Sequence, residues 1–71
     1  MFRIGDRVVT NQNAFKALEG PEGEKHRGVK GTIQNRGSAF DWDVRIDDPV
    51  DGIETQDWLV NSDEIDKLED S

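Results

Sequence analysis

The chain has no cysteine and no tyrosine, and only one histidine, one methionine and two prolines among its 71 residues. Without cysteine there can be neither disulfides nor thiolate metal ligands. The lone histidine, His26, stands in Glu24-Lys25-His26-Arg27 with no second imidazole, so a transition-metal site lacks a ligand set and the residue reads as a solvated loop histidine. No serine sits in a nucleophile elbow, and a single histidine would have to fill every role in nucleophilic catalysis; no catalytic residue and no cofactor are expected. Apolar runs stop far short of the roughly 20 residues a bilayer span requires. Met1-Phe2-Arg3-Ile4-Gly5-Asp6 is too short and polar for a signal peptide, which predicts a cytoplasmic protein. With 32% hydrophobic residues, the length leaves room for one domain, residues 1–71, and a small core.

Acid is what the chain holds in quantity. Sixteen Asp and Glu against nine Lys and Arg give a net charge of −7, which weighs against a general phosphate binder. The charge is unevenly spread: residues 1–36 sum to +3 and residues 37–71 to −10. The acidic half is no disordered tail, because it also carries Phe40, Trp42, Val44, Ile46, Ile53, Trp58, Leu59, Val60, Ile65 and Leu68.

Turn and strand signals divide the chain. Gly5 to Thr10, with β-branched Val8, Val9 and Thr10, predicts a first strand, and residues 28–35 a second, in which Gly31 marks a bulge or a close backbone approach. From Phe40 to Asp47, apolar Phe40, Trp42, Val44 and Ile46 alternate with Asp41, Asp43, Arg45 and Asp47. That period of two predicts a third strand with those four apolar groups inward. Asp48-Pro49-Val50-Asp51-Gly52 reads as a reversal into a fourth strand, Ile53 to Val60. Asn61 caps a single helical turn, and Ile65 to Glu69 forms a short last strand whose end frays. The long connection from Asn11 to Arg27 is read as a turn or two of helix over Ala14 to Glu19, stopped by Gly20-Pro21, followed by a mobile polar stretch. The expected fold is all-β: a small, five-stranded, partly open barrel with a long first loop and a helical turn before the last strand.

The order Gly5-Asp6-Arg7-Val8-Val9, long loop, Gly28-Val29-Lys30-Gly31-Thr32-Ile33, Trp42 to Asp47, Trp58-Leu59-Val60 and Ile65 to Leu68 resembles SH3-like barrels of the KOW kind. It is also similar to the small barrel protein of photosystem I and its relatives, the electron-transport accessory family. The resemblance covers nearly the whole chain and implies an SH3-like barrel that docks other proteins, or, for KOW domains, one that meets nucleic acid or a ribosomal partner through loops.

The acids supply the first candidate surface. Asp41, Asp43 and Asp47 project from one face of the third strand, and Asp48, Asp51, Glu54 and Asp57 belong to its hairpin; Asp63, Glu64, Asp66, Glu69 and Asp70 follow. Carboxylates so placed point to recognition of a basic patch on another protein and, at the extreme, to a DNA mimic that inhibits a nucleic-acid-binding protein. Trp58 would be its aromatic anchor if it faces outward; parity leaves its face open, whereas Trp42 shares the core face of its strand. Lys16, Lys25, Arg27 and Lys30 are the alternative, as nucleic-acid contacts, although interleaved base-stacking aromatics are absent apart from Phe15. Gly28-Val29-Lys30-Gly31 lacks phosphate-loop spacing, and Asp47 to Trp58 fails the calcium-loop pattern at its third and twelfth positions, so no metal is expected. The leading expectation is a non-catalytic protein-interaction module, monomeric or a weak homodimer, with no membrane role. Its size, acidity and lack of cysteine also fit a bacterial or phage accessory protein.

Overall fold

The computed structural model of the chain describes residues 1–68. Alternation in Trp42-Asp43-Val44-Arg45-Ile46 produces a strand that buries Trp42, Val44 and Ile46 and turns Asp43 and Arg45 outward. It is the third of five: β1 Arg7–Thr10, β2 Lys30–Arg36, β3 Trp42–Ile46, β4 Asp57–Val60 and β5 Ile65–Lys67. All pairings are antiparallel, in the order β4-β3-β2-β1-β5, so β5 returns beside β1 and the sheet stays open, with β4 and β5 at its edges. The domain is all-β, with a 3-10 turn at Ser62–Glu64 before β5 and one short helix, α1 Gly20–Lys25, in the first loop. No helix among the described residues is long and apolar enough to cross a membrane.

Val8, Ile33, Trp42, Val44, Val60 and Ile65 form the core, and Phe2 and Phe15 pack against it. Phe2 meets Trp42 edge-on with ring centroids 6.5 Å apart, while the Trp42 indole N–H donates to Ser62 Oγ at 3.1 Å. Gly31 is a close approach: a Cβ there would stand 2.6 Å from the Arg45 carbonyl oxygen and 2.7 Å from Val44 Cγ1. The register irregularity falls instead between Ile33 and Asn35.

The structure departs from expectation in the first loop and around β3 and β4. The helix lies at Gly20–Lys25, one segment later than predicted; Pro21 starts it, because an N-terminal helical position needs no N–H donor, and residues 12–17 are turns. The segment expected to be mobile is thus the helical one. Phe40 lies outside β3 and is 40% exposed, since the β2–β3 ladder ends at Arg36 and Trp42 and Gly37 N donates to the Asp41 carbonyl. β4 begins at Asp57, and residues 53–56 are irregular. Trp58 faces the core at 5% exposure, opposite Val44, which removes it as an exposed anchor. Glu69, Asp70 and the expected frayed end lie outside the described residues, and Leu68 is half-buried.

Candidate docking groove along the fourth strand

Thr10 closes the base of the long loop. Its buried hydroxyl donates to the His26 carbonyl at 2.6 Å and accepts from Val29 N at 2.9 Å, while Gly28 N donates to the Thr10 carbonyl at 2.8 Å. Across the loop, Arg27 Nε donates to the Ala14 carbonyl at 3.0 Å and its Nη2 to the carbonyls of Phe15 and Leu18, at 3.2 and 3.1 Å. A guanidinium presents several fixed donors, so one side chain bonds three turn carbonyls at once, the Phe15 carbonyl also accepting from Leu18 N at 2.9 Å.

Glu64 fastens the loop to the 3-10 turn. One carboxylate oxygen accepts from Asn61 N at 2.7 Å and the other from Phe15 N at 3.2 Å. The amides of Asn11 and Asn13 add bonds to the Asp63 carbonyl, at 3.0 and 3.2 Å. These contacts hold Phe15 at φ 53°, a left-handed conformation that a bulky residue adopts only under surrounding constraint. The constraint sets its ring 4.8 Å from His26 and 5.5 Å from Trp58, with His26 and Trp58 centroids 5.0 Å apart. His26 Nδ1 donates to the Glu22 carbonyl at 2.7 Å, so the histidine expected to be solvated is a half-buried member of an aromatic trio.

This trio forms one wall of a groove beside β4. A depression of about 350 Å³ joins Phe15, His26 and Trp58 to Phe40, Asp57 and Leu59. A second, of about 420 Å³, shares Phe15, Phe40 and Leu59 and continues over Lys16 to Asp63 and Glu64. Leu59 and Phe40, which line both depressions, are 47% and 40% exposed, so the groove presents large apolar side chains to solvent.

The acids expected to form one face are divided. Asp47 takes a bidentate pair from Arg7, which also reaches Thr32 Oγ1 at 3.0 Å; this holds the Asp47 carboxyl below the usual carboxylate range. Asp57 accepts from Arg45 at 3.1 Å and from Gln34 at 3.0 Å, and Gln34 also donates to Asp43 at 3.2 Å. Asp41 caps Ser62 N at 2.8 Å at the other end of the strand. Asp48, Asp51 and Glu54 are exposed in the β3–β4 connection. The outer sheet face is therefore a ladder of mixed charge, with Arg7 and Arg45 set among the carboxylates.

The four basic candidates differ in what they touch. Arg27 is committed to carbonyls, Lys25 meets Glu22 at 3.4 Å, Lys16 lines the groove, and Lys30 flanks a cleft that also contains Asp47 and Asp48. The roles of Glu64, Phe15 and Arg27 lie outside what the sequence predicts. The spacing Asn61-x-x-Glu64 carries the signature of a carboxylate reaching back to a helix start; nothing local announces its second bond to Phe15. No protein-family model, curated protein or solved structure matches the chain.

Proposed function

We propose that the chain is a small non-catalytic docking module of the cytoplasm that grips a segment of another protein in the groove between its long first loop and β4. The exposure of Phe40 and Leu59 beside the fixed Phe15 ring carries this reading. A loop tied down by Thr10, Arg27 and Glu64 supports it, because a preformed site loses little conformational entropy on binding. Asp57, Asp63 and Glu64 border the apolar groups, and the net charge of −7 favours a basic partner. The sheet order, long first loop and 3-10 turn before the last strand are in keeping with an SH3-like arrangement.

Two variants separate the groove from the sheet face. In co-purification from the source cell with mass spectrometry, Phe40→Ser with Leu59→Ser should lose partners that the wild type retains. Asp41→Asn, Asp43→Asn and Asp47→Asn together should keep them. The opposite pattern assigns docking to the acidic face and overturns the proposal.

A further inference from the structure

β4 has β3 on one side and, among the described residues, no strand on the other. Hydrogen bonds in an antiparallel pair alternate, and the Ile46 N donation to the Gln56 carbonyl at 2.9 Å sets the phase. Residues 56, 58 and 60 turn their main-chain groups toward β3, whereas Asp57 and Leu59 turn theirs away. The N–H and C=O groups of those two residues have no partner among the described residues. The same two residues line the groove, so the apolar walls flank a row of unpaired main-chain donors and acceptors.

We infer that the groove captures its partner by strand addition: an extended basic segment pairs with the free edge of β4 and becomes a sixth strand. The inference rests on the docking reading and names its mode and the partner's chemistry. An added strand alternates its side chains. One set faces the side of Trp58, toward Phe15 and His26, and calls for apolar residues; the other lies beside Asp57 and Leu59, where a Lys or Arg neighbours a carboxylate. A second copy of this chain is disfavoured as the occupant, because two bodies of charge −7 repel and pairing two β4 edges adds an Asp57 from each.

The probe is a displayed library of peptides about nine residues long, alternating Val, Ile or Leu with Lys or Arg. A binder selected from it is then resynthesised with N-methyl groups on alternate amides, in each of the two phases. Methylation in the phase facing β4 should weaken binding by about tenfold per bond lost, and the other phase should be tolerated. Bound peptide should also slow amide hydrogen exchange at Asp57 and Leu59. Leu59→Pro, which removes an N–H that β3 does not use, should weaken binding more than Leu59→Ala. A peptide whose binding is lost in the Phe40→Ser, Leu59→Ser variant, yet is indifferent to methylation in both phases and leaves these amides unprotected, overturns strand addition but preserves groove docking. Failure of the alternating library to yield any binder, while the Phe40→Ser, Leu59→Ser variant still loses the co-purified partners, overturns strand addition alone; failure together with the opposite co-purification pattern overturns both. Slow exchange at Asp57 and Leu59 without peptide, in a protein that sediments as a dimer, assigns the edge to a second copy and overturns the basic partner.

Discussion

Arg27 bonds the Ala14 carbonyl at 3.0 Å from thirteen residues further along the chain, and through this contact the long first loop acquires a fixed shape. With the further bonds to Phe15 and Leu18, the loop behaves as part of the fold. Arg27→Lys keeps the charge but loses the fork. It should cost about 1–3 kcal/mol in chemical denaturation and speed tryptic cleavage at Lys16.

Glu64 serves two elements with one carboxylate, so its removal should be felt in both. Glu64→Ala should lower stability by about 1–2 kcal/mol, with Glu64→Gln between it and the wild type. Amide exchange should rise at Phe15 and Asn61 together, because each loses its acceptor. A rise at Asn61 alone would show that the loop does not depend on the carboxylate.

Two glycines separate crowding from backbone strain. Gly31→Ala must place a methyl against the Arg45 carbonyl and Val44, and should cost about 3 kcal/mol or prevent folding. At Gly20, φ is +67° but the space is open, so Gly20→Ala should cost only about 1 kcal/mol. Thermal or urea unfolding of the two variants checks the order.

The Arg7–Asp47 pair should appear as pH dependence. Its carboxyl is more acidic folded than unfolded, so its contribution is fully present above the ordinary Asp range and is lost as pH falls below about 3.9 toward the folded value. Asp6 acts in the same direction, chiefly through the bond it accepts from Arg3 N and secondarily through Lys67. In Asp47→Asn, the loss of stability on acidification below pH 4 should be shallower than in the wild type. Equal slopes would show that the pair adds nothing to folding.

Strand count, strand order along the chain and the helical turn are legible in the sequence because alternation and turn residues are local signals. Trp42, Val44 and Ile46 take their core positions from that alternation. Phe40 escapes it, since a period of two cannot tell where a ladder stops; here the stop is set by the Gly37–Asp41 turn. Trp58 is settled by its register with Val44, a partner fourteen residues away that no local pattern reveals. The groove lies beyond reach for the same reason: Phe15, Phe40 and Leu59 come from three separate segments. Arg45 is visible among the carboxylates of its own strand, but nothing local shows that it pairs with Asp57 or that Arg7, forty residues from Asp47, joins them once the sheet forms.

The strand order has a consequence in time. β2, β3 and β4 follow one another along the chain and can zip up early, whereas β1 must pair with β5 across a long stretch of chain, with Thr10 opposite Ile65. Closing so long a stretch of chain has an entropic cost that is recovered only once β5 is in place. A ribosome must therefore release residues 65–67 before β1 gains its second neighbour. Until then β1 and β4 stand as two unfilled edges, and the β1–β5 pairing waits on β5, the last of the five strands in chain order.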